Sequence, residues 1–402
     1  MTTDLSRLRI SVHHVGGRAG SRSFPILERF ERDVVNTLYE ADEDCIEQIR
    51  VANSGNPSEL HVLPYCLAQT KGRATLNINY DPFTSSLREL NTDYGGYYQR
   101  LGDHDYVFAE SFGSVETREV ETISLDEVIA QNPSLPPPNF LSLDTQGSEH
   151  EILLGASKVL KSDVVAAVVE AEFSVLYKGQ KTFGDILALL SERGFQFVRF
   201  LVGAQVSPYR GPIGLRADGF HLFDDALFFR RVSDIEALDA SVRHRWLLLN
   251  KLAFVSIVYR QFEYALQCLQ AIHRLDDGAQ TSSAGTEPSY IVFLRELWAE
   301  IGKMPKIYPR SFAEKYSIAE SKARFTTLRP KKNVVLNLSI TAKNFAVHSH
   351  IETLLVKYGF SDLSNVLRYN RFAESSAAEF LKTNPTVENQ YAISQVTLKV
   401  EG

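Results

Sequence analysis

The chain has 402 residues, a formal charge of −6, 44% hydrophobic and 23% charged residues. These values fit a globular protein with ample core material, too long for one typical domain, and an acidic balance gives no reason to expect nucleic acid as a partner. No run reaches the ~18 apolar residues of a membrane span, the N-terminal MTTDLSRLRISV lacks a signal peptide's apolar stretch, and Cys45, Cys66 and Cys268 form neither CxxC spacing nor an even framework, so a cytoplasmic, reducing setting is expected.

Along the chain, strand and helix patterns alternate. Leu8–Val12 reads as a strand, Ile26–Phe30 as a short helix, Val34–Tyr39 as a strand and Asp44–Val51 as a helix. His61–Pro64 is a third strand and Ala74–Ile78 a hairpin arm. The stretch from 81 to 110 is polar and tyrosine-rich, without periodicity, and a segment of that length inside a domain is often functional. Ser124–Ala130 is a short helix, a strand ends at Asp144, and Val164–Val169 is an apolar run suited to a strand covered on both faces. Phe183–Arg193 is an amphipathic helix that stops at Gly194; Phe195–Phe200 and Leu222–Phe229 complete the sheet. This alternation predicts an α/β fold with a mostly parallel sheet over residues 1–232. From 233 to 402 the pattern turns mainly helical. Arg245–Arg274 has the spacing of a helix pair and Ile291–Ile301 that of another helix. Val334–Ile340 reads as a strand, and Ile351–Tyr358 and Ala377–Leu381 as helices. The role of this part is not legible.

The segment Phe140–Ala156, FLSLDTQGSEHEILLGA, combines a buried strand, a polar turn at Gly147 and a helix with Ile152, Leu153 and Ala156 on its apolar face. Ligands of open α/β sheets bind outside the carboxyl ends of the strands. Asp144 is therefore either a site residue or a cap for the helix that follows.

Asp144, Gln146, Gly147 and Glu149, followed by Leu154-Gly155-Ala156, resemble the FkbM-type methyltransferase family. The family pattern is Asp-x-Glu/Gln-Gly-x-Glu and then Leu-x-Gly-Ala. Ser124-Leu125-Asp126, Glu170-Ala171-Glu172, Leu176-Tyr177-Lys178-Gly179-Gln180 with Phe183, and Asp225-Ala226-Leu227-Phe228 extend the resemblance over roughly residues 8–230. It implies a class I, Rossmann-like fold and S-adenosylmethionine (SAM) as cofactor. The acceptor would be a small molecule or glycan methylated on a hydroxyl oxygen.

The resemblance also implies the cofactor contacts. The first loop, His14-Val15-Gly16-Gly17-Arg18-Ala19-Gly20, has the family's glycines at Gly16, Gly17 and Gly20. However, His14 stands in place of an acidic residue and Arg18 in place of the usual Asn. Glu40, after the second strand, is the expected ribose ligand, since a carboxylate accepts two hydrogen bonds side by side; Asp42 is the second choice. Ala68, in Cys66-Leu67-Ala68-Gln69, is the adenine neighbour, and Asp144 also faces the cofactor. Methyl transfer to a hydroxyl needs orientation and a base, and Asp144 and Glu172 are the expected catalytic residues. Glu170, Tyr177 and Gln180 are expected at the acceptor, with Tyr94, Tyr97 and Tyr98 as candidates for its wall. His13-His14 and the pair His348, His350 lack a matching acidic or cysteine set, so no metal is expected. The alternative reading is a degenerate methyltransferase fold that binds or scaffolds without catalysis; His14, Arg18 and Ser142, where the family has lysine, favour it. A dinucleotide enzyme is disfavoured because G-x-G-x-x-G is absent. Self-association through the C-terminal region is left open.

Overall fold

The computed structural model describes residues 5–16, 24–41, 43–52, 58–101, 104–208, 218–275, 287–303 and 342–366. Contact clustering separates Met1–Ile291 from Val292–Gly402.

The first unit is built on one sheet. Its strands are β1 (Ile10–Val15), β2 (Val34–Tyr39), β3 (Glu59–Leu63), β6 (Tyr98–Leu101), β7 (His104–Val107), β9 (Phe140–Leu143), β10 (Ala166–Glu172), β11 (Phe195–Ser207) and β12 (Phe220–Arg230). A small second sheet holds β4 (Cys66–Leu67), β5 (Gly72–Asn79) and β8 (Ser114–Ile123). The large sheet runs β3-β2-β1-β9-β10-β12-β11-β6-β7. Pairings are parallel from β3 to β10 and antiparallel from there on. The expected mostly parallel sheet is thus parallel only in its first half. Consecutive strands β11 and β12 pair directly, and β6 and β7 add to their free side.

Burial explains the strands. β1, β2, β9 and β10 are buried at every position, as strands covered on both faces must be. One face is covered by helices Leu125–Gln131, Glu149–Gly155, Ser157–Ser162 and Phe183–Glu192, whose apolar residues form the main core with Leu141, Leu143, Val169 and Phe228. Ser124 caps the first of these through a capping box with Glu127. Asp126 of the family-like Ser-Leu-Asp reaches across to cap another: it accepts hydrogen bonds from Lys158 N at 2.8 Å and Val159 N at 3.0 Å. Gly155 has a packing role, since a Cβ there would lie 2.4 Å from the Ala68 carbonyl oxygen.

The opposite face is covered by the helices after residue 232. Helix Val242–Val258 is buried from Leu247 to Ile257. Its Phe254 meets Phe30 at 4.8 Å between ring centroids, and Tyr259, just beyond its end, stacks on Phe140 of β9 at 5.7 Å. From helix Phe262–Leu275, Tyr264 stacks on Phe229 of β12 and donates to the Arg230 carbonyl at 2.8 Å. The compact unit that holds these helices runs to Ile291. The predicted helix pair is the second helical layer of the α/β fold. Ile26–Phe30, expected as a helix, is a turn leading into a single 3-10 turn, Glu31–Asp33.

In the second unit, helices Ala342–Lys357 and Ser361–Val366 accompany the end of helix Ser289–Ile301. There Phe293 packs against Tyr358 and Phe360 at 4.8 and 5.3 Å. The predicted elements Val334–Ile340 and Ala377–Leu381 lie outside the described residues. Among the described residues, no helix is long and apolar enough to cross a membrane.

A fragment ending at Arg231 would leave Phe30, Phe140 and Phe229 uncovered. It is expected to melt without a cooperative transition and to bind a hydrophobic dye, while the full chain melts cooperatively. A cooperative melt of residues 1–231 at the full-chain midpoint, followed by circular dichroism, would contradict this layer assignment.

Candidate functional site

The chain order of the sheet reverses between β1 and β9. On one side lie β2 and β3, on the other β10. At such a switch point the loops leave in opposite directions and open a crevice outside the carboxyl ends. Gly16 ends β1 with φ +87°, and a Cβ on it would lie 1.7 Å from the Asp144 carbonyl oxygen. Only glycine fits there. The same junction is held by Asp144 N donating to Val15 O at 3.1 Å and Gly16 N to Tyr39 O at 3.3 Å.

The turn after β9 is held by Glu149, the first residue of its helix. One Glu149 carboxylate oxygen accepts from Thr145 N at 2.7 Å and Thr145 Oγ1 at 2.9 Å, and the other accepts from Gly147 N at 3.0 Å. Glu149 thus holds the backbone of the turn that precedes its helix, and the N-cap position of that helix is Ser148, not Asp144. Asp144 is left facing the crevice.

Gln146 is the hub of the site. Its φ is +57°, an uncommon backbone for a residue with a side chain. Its Nε2 donates to Asp144 Oδ1 at 3.0 Å and to Glu170 Oε2 at 2.7 Å, and its Oε1 accepts from the Tyr177 hydroxyl at 2.6 Å. Its backbone carbonyl accepts from Ser86 Oγ at 2.6 Å. One amide therefore sets two carboxyl groups, and Tyr177 fixes which way the amide is turned.

A cavity of about 360 Å³ opens at this point. Gly16, Glu40, Cys66 and Leu67 line its side toward β1–β4; Asp144, Gln146, Glu170 and Glu172 line its floor. The 81–112 segment supplies the rest, with Asp81, Phe83, Thr84, Gln99, Tyr106 and Phe112 among its contributions. This segment is tied to the floor. Asn91 N donates to Leu176 O at 2.6 Å, and Arg88 forms an ion pair with Glu151 at 2.8 Å.

The electrostatics are one-sided. Glu40, Asp81, Asp144, Glu170 and Glu172 line the cavity, and no Lys, Arg or His does so among the described residues. Burial pushes Glu170 well above the usual carboxylate range, and Asp144 and Glu172 nearby push it further. Glu172 is raised in the same way by burial and by Glu149, against the Gln180 amide, which holds it down. Burial brings Glu149 up to about 7 and Asp225 up to about 6. Close carboxyls in a water-poor site cannot all ionise. Glu172 Oε2 is buried and has no hydrogen-bond partner.

Of the residues expected from the sequence, Gly16, Glu40, Asp144, Glu170 and Glu172 meet in this cavity. Tyr177 and Gln180 stand behind its floor: Tyr177 is fully buried and its backbone N donates to Gln180 Oε1 at 3.0 Å. Ala68 lies off the cavity, its backbone N bonded to Ile123 O at 3.0 Å, while Cys66 and Leu67 hold the wall. His14 also does not line it. Its imidazole is buried within the sheet, with Nδ1 2.8 Å from Ser142 Oγ, and burial lowers its pKa. Gly17, Arg18, Gly20 and Asp42 lie outside the described residues. Tyr94 and Tyr97 pack on each other at 5.1 Å rather than on the cavity. Gln146 and Ser86 had no assigned site role; the motif exposed Gln146, but nothing local revealed its partners.

A sheet with this order, a glycine-ended first strand and acidic residues at the carboxyl edge defines a class I, Rossmann-like methyltransferase fold. Residues 16–197 match the model of the methyltransferase FkbM domain. A search of the curated proteins finds no match. Three solved structures are similar at a distance. Magnesium protoporphyrin IX methyltransferase from Synechocystis PCC 6803, with bound SAM, is 10% identical, covering 56% of this chain and 71% of its own, with a TM-score of 0.29. An FkbM methyltransferase from Methylobacillus flagellatus KT is 12% identical, covering 55% and 44%, with a TM-score of 0.29. A TehB-like SAM-dependent methyltransferase from Corynebacterium glutamicum is 10% identical, covering 57% and 89%, with a TM-score of 0.25.

The raised Glu149 carboxyl keeps a proton, up to about 7, that the unfolded chain releases near 4.5. Folded protein then binds more protons than unfolded between those values, so this group's contribution to stability is full at low pH and is lost as pH rises through that window. Glu149→Gln should flatten the fall in stability between pH 4.5 and 7 by the share of one proton. Urea titrations across that range measure it; an unchanged slope would place Glu149 outside the titrating set.

Proposed function

We propose that this chain is a SAM-dependent methyltransferase acting on a hydroxyl oxygen of an uncharged glycan or natural-product acceptor. The observation that carries the reading is Glu172 Oε2, a buried carboxyl oxygen without a partner in the wall of a cavity at the sheet's switch point.

The residues present fit the cofactor. At Gly16 the main chain is bare to the cavity, Glu40 at the end of β2 offers the paired acceptors that suit a ribose diol, and Cys66 and Leu67 form the adjoining wall. Asp144 faces the same space. When bound, the cofactor supplies an electrophilic methyl group on a sulfonium centre. Glu170 and Asp144, held by Gln146, orient the acceptor hydroxyl. Glu172 would take the acceptor hydroxyl's proton. A buried carboxyl with a raised pKa is a better base than an exposed one, because its proton affinity lies closer to neutrality. The 81–112 segment covers the site and keeps water out. Five acidic side chains and, among the described residues, no basic one make the cavity hostile to a phosphorylated or carboxylated acceptor and tolerant of a cationic cofactor.

Glu40→Gln is expected to weaken SAM binding, measured by calorimetry, by roughly the 1.5–3 kcal/mol of a hydrogen bond to a charged group, with the fold intact. Unchanged affinity would remove Glu40 from the ribose site. The Glu172→Gln variant should keep SAM affinity and lose kcat by at least the 10²-fold typical of a lost general base. With the natural residue, kcat should rise with pH as Glu172 ionises. A chain that binds no SAM at any pH would instead support the non-catalytic reading.

A further inference from the structure

A second cavity, of about 250 Å³, lies at the amino-terminal edge of the sheet, where Pro136, Pro137 and Asn139 lead into β9. It is at the other end of β9 from Asp144. Its lining carries Arg7 and Arg9 from the N-terminal segment and His244 and Lys251 from helix Val242–Val258, with Asp163 the one carboxylate among the described residues. Lys251 is 4% exposed. Its ammonium donates to Arg7 O at 2.8 Å and Asn139 Oδ1 at 2.8 Å, both neutral oxygens. That accounts for two of its three N–H groups. No ion pair to Lys251 forms among the described residues, and Asp163 acts on it only from a distance. Asp163 itself lies 3.8 Å from His244 Nε2, and Arg9 is paired with Glu59 at 2.7 Å. A buried ammonium without an anionic partner is costly. Burial accordingly pushes Lys251 down to about 7.

We propose that this cavity is a binding site for a phosphate group, free or carried on a small molecule, with Lys251 as the central contact and His244 and Arg7 beside it. A tetrahedral anion accepts from donors arriving from several directions, which suits side chains converging from the N-terminal segment and the helix. The volume admits a small phosphomonoester and is too small for a nucleotide lying wholly inside. The site is separate from the acidic cavity, so it stands whether or not the methyltransferase reading holds. An anion there would bridge the N-terminal segment, the start of β9 and the second helical layer.

The test uses the full chain at pH 7 and constant ionic strength. Thermal melts and calorimetry are run with chloride, inorganic phosphate, sulfate and ribose 5-phosphate. A saturable rise in melting temperature with phosphate but not chloride is expected. It should vanish in Lys251→Met, which keeps the buried stem's bulk, and weaken in His244→Gln. Glu40→Gln, in the other cavity, should leave the response unchanged. Tighter binding of ribose 5-phosphate than of phosphate assigns a phosphomonoester; equal binding assigns the free anion. A response that merely follows ionic strength, or one that survives in Lys251→Met, overturns the proposal. If that variant does not fold, Arg7→Gln with His244→Gln decides: loss of the response supports the site, and persistence overturns it.

Discussion

The contact on which the rest of the structure depends is the approach of the Gly16 backbone to the carbonyl of Asp144. Here the first strand stops against the turn of its neighbour with no room for a methyl group. The floor of the candidate cavity is positioned from this junction. The second strand bonds to Gly16 and brings Glu40; the turn from Asp144 brings Gln146 and, through it, Glu170. A side chain at position 16 would also have to adopt a left-handed backbone. It would push the two strand ends apart at the one place where the sheet changes direction.

Around this junction the protein has gathered more acid than it can ionise. Glu149 spends its carboxylate on the backbone of the turn, and Gln146 spends its amide on Asp144 and Glu170. Glu172 is left with a bare oxygen. The difference is one of hydrogen-bond supply: the carboxyl oxygens that receive donors are fixed in place, and Glu172 Oε2 is not. At the other end of the sheet the charge is reversed, with a buried lysine facing neutral oxygens. The two ends of β9 thus present opposite fields to solvent.

Much of this was legible from local signals. β2 coincides with the predicted Val34–Tyr39, and the apolar run at Val164–Val169 marks β10, because a doubly covered strand must be apolar along its length. The turn from Asp144 to Glu149 was visible as a motif because its glycine and acids sit within six residues. Less legible was whatever depends on distant partners. β8 carries Glu116, Arg118, Glu119 and Glu121 and is exposed over most of its length, so it shows no alternation, and its pairing with β5 and β4 makes it a strand. Four-residue strands β6 and β7 are too short for a periodic signal. The helices after residue 232 were recognisable as helices, but their faces do not say which surface they cover. His14 stood where the family pattern has an acid, yet strand alternation had already sent its ring into the sheet toward Ser142.

Among the described residues, the 81–112 segment pairs with β11 through Gln99–Val206 and Tyr98–Ser207, and it is tied to the floor by the Leu90–Tyr177 bridge, the Ser86 hydrogen bond to the Gln146 carbonyl and the Arg88–Glu151 ion pair. Gly16 and Glu40 follow β1 and β2, with which this segment does not pair. Away from these ties its sequence can drift, lengthen or be exchanged at little cost to the sheet. In evolutionary terms the molecule keeps a fixed hearth under a replaceable roof, and divergence among such chains in what they accept would be written in the roof.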